Sequence, residues 1–115
     1  MTARENPSNP LPGVPIVESP FFEELSAAFS DDAEALRVAR DLHHDGFAVI
    51  DFPDADFDQR ATALTHDLDQ YFDWDNWRAN GGGMRVHDAW KFDANAKALA
   101  VNARVRELLS RIYGR

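Results

Sequence analysis

A helical pattern and a strand-like pattern meet at one glycine in the stretch Leu42-His43-His44-Asp45-Gly46-Phe47-Ala48-Val49-Ile50-Asp51-Phe52-Pro53. Before Gly46, apolar residues recur at helical spacing, and the two histidines suit the negative end of a helix dipole. Gly46 itself fits the left-handed position that ends many helices. The run 47–52 is almost continuously apolar, which predicts a buried β-strand that Pro53 stops.

Helical patterns lie on both sides of this junction. Each predicted helix begins at a residue that can cap the first turn, or at a proline that fits the first helical position. Apolar residues then recur every three or four positions. The predicted helical segments are 19–29, one from Ser30 or Asp31 to 45, about 56–72, a short turn from 93, and a last helix from 102 to a C-cap at Gly114.

The segment Arg85 to Trp90 is the one other plausible strand. The expected fold class is therefore mainly α with one or two β-strands, an α+β arrangement. Two strands are marginal alone, and a strand that is apolar on both faces needs cover on each side. A sheet supplied by residues beyond Arg115 would meet that need. In the alternative, the two strands pair with each other under the helices.

The start of the chain predicts a separate segment. Residues 1–18 contain four prolines, which remove backbone donors and disfavour a helix, so we expect an extended or disordered arm. Residues 19–115 are expected to form the helical N-terminal part of one domain that is incomplete. A length of 115 residues leaves room for one domain at most.

Composition narrows the class of protein. The hydrophobic fraction of 44% is typical of a folded protein, and the chain has no cysteine, which excludes disulfides, thiolate metal sites and a cysteine nucleophile. The N-terminus lacks the apolar core of a signal peptide, and no run of eighteen apolar residues occurs. We expect a protein of the cytoplasm, with no membrane partner.

Charge is distributed unevenly along the chain. Residues 31–75 carry thirteen acidic and three basic residues, whereas residues 76–115 carry three acidic and eight basic ones. The net charge of −8 disfavours binding to nucleic acid. The asymmetry favours electrostatic contact between the two halves or with another polypeptide, although ordinary solvated helix faces also explain it.

Two acidic patterns resemble fragments of metal sites. His43 and Asp45 have His-x-Asp spacing, but residues two apart on a helix point away from each other, so a helix C-terminus explains them better. Asp54, Asp56 and Asp58 alternate like the start of a calcium loop, yet the glycine and the glutamate that such a loop needs are missing. We predict no catalytic residue and no metal ligand in the chain.

The segment around residues 74–91 mixes aromatic, basic and imidazole groups. Gly81, Gly82 and Gly83 predict a loop, since three glycines cost too much backbone entropy inside an element. Trp74 and Trp77 before it fit either core anchors or a recognition surface. Beyond it, four residues are candidates for lining a substrate mouth, with core packing of the tryptophan as the alternative. These candidates are Arg85, His87, Asp88 and Trp90.

Taken together, these motifs resemble the N-terminal third of the phytanoyl-CoA dioxygenase family. The helix-glycine-strand junction and the closing Tyr-Gly-Arg are the most similar parts, and the resemblance covers about residues 36–115. The matching segments are Leu42 to Ile50, Asp88-Ala89-Trp90, and Val105 to Arg115.

The resemblance implies an enzyme parent whose helices precede a double-stranded β-helix, or jelly-roll. Such enzymes use iron(II), 2-oxoglutarate and oxygen to hydroxylate small molecules. Their iron ligands and cosubstrate arginine lie after the stretch that matches here, so no residue of this chain is assigned to iron or to 2-oxoglutarate. The expected partners are the remainder of its own catalytic domain and, for the parent, a small-molecule substrate.

Two other classes of protein remain open at this point. The charge asymmetry fits a small acidic helical module that binds another protein. A standalone helical domain of unrelated enzyme origin also fits the helical patterns.

Overall fold

The computed structural model describes residues 9–114 and divides the chain into two compact units. One unit is Phe52–Ala103, and the other joins the residues up to Asp51 with those from Arg104 onward. Among residues 9–114, none of the helices is long and apolar enough to cross a membrane. The α-helices are α1 (Phe22–Leu25), α2 (Ala33–Asp45), α3 (Phe57–Asp69), α4 (Trp74–Asn80), α5 (Ala94–Ala100) and α6 (Ala103–Tyr113), with 3₁₀ turns at Ile16–Glu18, Ser26–Phe29 and Ala89–Lys91.

The first unit, which we call the core unit, is built around one apolar cluster. Leu108 and Ile112 lie one turn apart on α6, so both side chains reach the same side of that helix. Partly buried apolar residues surround the cluster and enlarge it. The buried apolar residues of the cluster are Ile16, Val17, Phe22, Leu25, Phe29, Ala35, Val38, Ala39, Leu108 and Ile112.

Packed structure begins earlier than the sequence pattern indicated. Of the expected arm, residues 1–8 lie outside the described residues. Ile16 and Val17 form a 3₁₀ turn with Glu18 and are buried in the core unit, because these two apolar residues contribute area that a small core needs. Prolines on either side of the turn are compatible with it, since a 3₁₀ turn uses few backbone donors.

Helix α2 has the boundaries that its capping chemistry dictates. The Asp32 carboxylate accepts a hydrogen bond of 3.0 Å from the Ala35 N–H, so the cap is one or two residues later than predicted. Gly46 adopts φ 79° and its N–H donates to the Leu42 carbonyl at 3.0 Å, which confirms the predicted glycine C-cap.

We expect Gly46→Ala to lower the free energy of unfolding by about 1 kcal/mol, because a side chain is disfavoured at positive φ. Its Cβ would lie in open space, so the cost is conformational alone. Gly13→Ala is the control, since Gly13 also has open space but no positive φ. Urea unfolding of both variants measures the difference, and equal midpoints would contradict the C-cap assignment.

The strand predicted at 47–52 is wrong, and so is the α+β fold class. The segment is extended, but within residues 9–114 no residue is in a β-strand, so the described chain is helical. Ala48 and Ile50 pack against the core unit. Phe47 and Val49 point outward and are 66% and 74% exposed. An apolar run becomes a strand only when another strand pairs with its backbone.

The second predicted strand, from Arg85 to Trp90, is also wrong. Residues 81–86 have no regular structure, a turn follows at His87 and Asp88, and a 3₁₀ turn covers Ala89–Lys91. Asp88 is the reason, because its φ of 55° reverses the chain where a strand would need extended backbone. Without the two strands, the described residues contain no jelly-roll component.

The second unit, which we call the open unit, has helices but no sealed core. Helices α3 and α5 pack against each other, and the 3₁₀ turn at Ala89–Lys91 packs on α5. The Asn102 side chain donates to the Pro53 carbonyl at 3.0 Å, tying the two ends of the unit together. Yet no residue from 52 to 103 is fully buried. Helix α3 ends at Asp69, three residues before its predicted limit, and α4 was not predicted.

Candidate functional site

The four predicted mouth residues are all on the surface of the open unit. Arg85, His87, Asp88 and Trp90 are exposed. The Asp88 carboxylate accepts from Lys91 Nζ at 2.9 Å, and the same ammonium lies 5.4 Å from the centre of the Trp90 ring. Asp88, Trp90 and Lys91 therefore form one local arrangement of an ion pair and a cation–π contact, so their side chains interact with each other.

Arg85 and His87 do not join that arrangement. Within the described residues, neither side chain has a hydrogen bond or an ion pair. The four residues also do not line the groove that is described below. The proposed substrate mouth at these residues stays a prediction, because no geometry in the described chain gathers them around a common point.

The imidazole of His43 has a structural role. Its Nδ1 donates to the Val17 carbonyl at 2.8 Å, and its ring stacks on Phe22 with centroids 4.1 Å apart. A side chain held on one face by a phenyl ring and at Nδ1 by a carbonyl is part of the core unit's packing. Among residues 9–114, no group of three or more His, Asp or Glu side chains is arranged to hold a metal ion.

Comparison with known proteins finds no relative of the chain. No model of a protein family matches it, and neither a curated protein nor a solved structure does. The function must therefore be inferred from the described geometry and from the sequence motifs.

The most distinctive surface of the open unit is a groove between the end of α3 and the start of α4. The groove is open to solvent, has a volume of about 620 Å³ and is lined by residues of the segment 70–78, including Phe72 and Trp74. The Phe72 and Trp74 rings lie 5.4 Å apart, and Trp77, which does not line the groove, contacts the Trp74 ring with centroids 6.2 Å apart and planes nearly perpendicular, at 88°. We call these three residues the aromatic corner.

The position of Trp74 is fixed at the polar edge of its ring. Trp74 Nε1 donates to the Asp69 carboxylate at 2.8 Å. Asp73 caps α4 by accepting from the Asn76 N–H at 2.9 Å, which sets where the helix and its two tryptophans begin. Arg78 donates to Asp75 at 3.0 Å on the same rim. The aromatic corner is therefore a preformed surface with acidic groups beside it.

A second cluster, in the core unit, joins charges that are distant in sequence. Arg104 donates to both oxygens of Asp32, at 2.8 and 3.0 Å, and to Glu34 at 2.9 Å. Arg111 donates to Asp31 at 2.6 Å and to Asp32 at 3.4 Å. Hydrogen bonds from Arg104 and from the Ala35 N–H hold the pKa of Asp32 well below its usual range, and the hydrogen bonds that Arg104 donates to Asp32 and Glu34 raise the pKa of Arg104.

This ion-pair cluster anchors α6 to the start of α2. Arg104 binds Asp32 in bidentate geometry, and the other carboxylates each pair with Arg104 or Arg111, so the charged groups of the cluster are engaged with one another. The predicted contact between an acidic middle and a basic end is thus present here for Arg104 and Arg111. We interpret the cluster as structural.

Sequence reasoning missed the aromatic corner as a defined surface. The signal that could have found it is the sequence Phe72-Asp73-Trp74-Asp75-Asn76-Trp77, in which a capping aspartate precedes tryptophans spaced three apart. That spacing places both indoles on one side of a short helix. The pattern left open whether they face a core or a partner, and the exposed indoles favour the partner.

Proposed function

We propose that the chain is a helical, non-catalytic segment that packs against a further polypeptide. We further propose that this polypeptide is the metal-binding part of an iron(II)/2-oxoglutarate-dependent dioxygenase that hydroxylates a small molecule. One observation carries the first step: the open unit has no fully buried residue from 52 to 103. A unit of this size normally needs a sealed apolar core or a partner that completes one.

The exposed apolar side chains of the open unit are too many to be incidental. Single surface leucines are normal, but these side chains are still 39–55% exposed, and covering the rest of a large aromatic side chain is worth about 25 cal/mol per Å² of newly buried area. Covering them would therefore stabilise the unit considerably. These side chains are Phe57, Tyr71, Trp74, Trp77, Trp90, Phe92 and Val101.

The extended segment 47–52 supports the same proposal from the core unit. Phe47 and Val49 direct apolar side chains outward. The backbone of this segment makes few hydrogen bonds to the other residues that the structure describes. The Val49 carbonyl accepts from the Arg37 guanidinium at 3.1 Å. Buried backbone groups must be paired, so a polypeptide covering this segment would also have to supply hydrogen-bond partners.

The choice of an oxygenase as the partner depends on the sequence resemblance. The motifs around Gly46 and Tyr113 are its support, and this chain supplies no ligand for iron or for 2-oxoglutarate. Both cofactors would be held by the further polypeptide. We propose the cytoplasm as the compartment, for which the lack of cysteine is the support.

A second candidate function is that of a small acidic helical module that binds a separate protein. The excess of acidic residues in 31–75 favours it. Both candidates require a covered open unit. They differ in whether the covering polypeptide belongs to the same chain or to another one.

The purified chain is expected to produce no succinate from 2-oxoglutarate when iron(II), ascorbate and oxygen are added. If the reading frame continues past codon 115, the longer product, read to its own stop codon, is expected to produce it. Succinate formation by each protein, followed by NMR, is the measurement.

Substituting a histidine of the longer product's His-x-Asp motif, outside this chain, is the matched control and should abolish turnover. Turnover by the purified chain alone would contradict the proposed non-catalytic role. A gene that stops after codon 115 would contradict the oxygenase assignment and leave the separate-partner module as the function.

A further inference from the structure

The aromatic corner combines three features that together define a ligand chemistry. Trp74 and Trp77 expose 39% and 44% of their surface, so both indoles are accessible. Their rings are nearly perpendicular, and Phe72 lies beside them. The faces of aromatic rings carry a negative potential, which is strongest for tryptophan, and they attract cations within about 6 Å.

The charges around the corner have the sign that a cationic ligand requires. Asp69, Asp73 and Asp75 lie at its rim, whereas Arg78 is the cation that lines the groove. Arg78 is already paired with Asp75, so its charge is compensated locally. The hydrogen bonds of Asp69 and Asp73 each engage one oxygen, and each carboxylate has further lone pairs.

The chain itself provides an example of the same chemistry. The Lys91 ammonium lies 5.4 Å from the centre of the Trp90 ring while it pairs with Asp88. At the aromatic corner, no lysine or arginine of the described residues lies over the Trp74 or Trp77 ring. The corner thus has the rings and the carboxylates of that arrangement without its cation.

We propose that the aromatic corner binds an arginine side chain of a partner polypeptide. A planar guanidinium can stack on an indole and at the same time donate to a carboxylate, which a compact ammonium does less well. The open groove, of about 620 Å³, leaves room beside Phe72 and Trp74 for one long side chain. Because Trp74 is held by Asp69, little ordering is needed on binding.

This inference is independent of the proposed function. It concerns one corner of the open unit, and it holds whether the arginine belongs to an oxygenase or to another protein. Its test therefore uses a peptide and not an enzyme assay.

The test is a tryptophan fluorescence titration of the whole chain with acetylated, amidated tetra-arginine. Tetra-citrulline is the control ligand, since citrulline has nearly the same shape without the charge. We expect saturable binding of tetra-arginine that weakens as salt is added, and no saturation with tetra-citrulline. Equal binding of both peptides would overturn the proposal, and stronger binding of tetra-lysine would overturn the choice of a guanidinium.

Three variants locate the site. Trp74→Ala should weaken binding about tenfold or more, the loss expected for a partly desolvated cation–π contact. Phe57→Ala, the control, removes another exposed aromatic ring of the open unit and should change the affinity less than twofold. Trp74→Phe keeps a ring and should lie between them, which separates loss of the contact from misfolding of α4. Equal affinities of the Trp74→Ala and Phe57→Ala variants would overturn the proposal.

Discussion

The Phe22→Ala variant is expected to lose about 3–5 kcal/mol of unfolding free energy, the largest effect of any single substitution considered. Phe22 is 1% exposed, and its ring stacks on His43 in the centre of the core unit. Because small domains are stable by only about 5–15 kcal/mol, this loss removes much of the total. Urea unfolding followed by far-ultraviolet circular dichroism should show a much lower midpoint or no cooperative transition.

Phe57→Ala is the matched control for that variant. It removes the same side chain from the open unit, where Phe57 is 41% exposed and contacts the Phe52 ring. We expect a clearly smaller cost than for Phe22→Ala, because Phe57 is already partly in water and its removal leaves no sealed cavity. Equal losses in the two variants would mean that the open unit has a core of its own, contrary to the present account.

The Arg104→Gln variant should lose stability at neutral pH, and the loss should become smaller as the pH falls below about 3.9. The folded-state pKa of Asp32 is lowered, first by its hydrogen bonds from Arg104. A lowered carboxyl pKa contributes stability that is fully present above the pKa of the unfolded state, about 3.9, and is lost as the pH falls towards the folded value. Removing Arg104 removes most of that contribution.

The measurement is the urea midpoint of wild type and variant at pH 7 and pH 3. We expect a clear difference at pH 7 that narrows at pH 3, and a smaller difference when salt is added, since Arg104 is 28% exposed. Arg106→Gln is the control, because it removes the same charge from an exposed position on the same helix. A difference that is unchanged between pH 7 and pH 3 would contradict the proposed role of Asp32.

Local sequence signals predicted the parts of the fold that depend on neighbouring residues. Helix α2 and its end at Gly46 follow from capping and from the glycine's free φ, and these depend on a few adjacent positions. The apolar spacing likewise predicted the helix α6, in which Leu108 and Ile112 are buried whereas the neighbouring Leu109 is 47% exposed. Such signals are strong because the helix is formed by contacts three or four residues apart.

The β-strands could not be predicted correctly from the same kind of signal. The run 47–52 has strand composition, but a strand requires a partner, and the pairing is a property of a distant segment. The sequence of residues 47–52 therefore determines only that their backbone is extended. At Asp88, the positive φ interrupts the second predicted strand, and residues other than glycine rarely signal such a turn.

The functional surfaces show the same division between local and distant information. The tryptophan spacing at residues 74 and 77 is readable in the sequence, whereas their exposure depends on how little of the open unit covers them. The pairing of Arg104 with Asp32 joins residues 72 positions apart, which composition alone suggested only as an attraction between halves. A single sequence does not specify which distant residues pair with each other.

Amide hydrogen exchange of the whole purified chain, read by mass spectrometry, tests the central claim most directly. We expect α2 and α6 of the core unit to exchange slowly, whereas α3, α4 and α5 of the open unit should exchange faster by about two orders of magnitude or more, because no sealed apolar core opposes their opening. Protection of α3 and α5 equal to that of α2 would contradict the claim that the open unit requires a covering polypeptide.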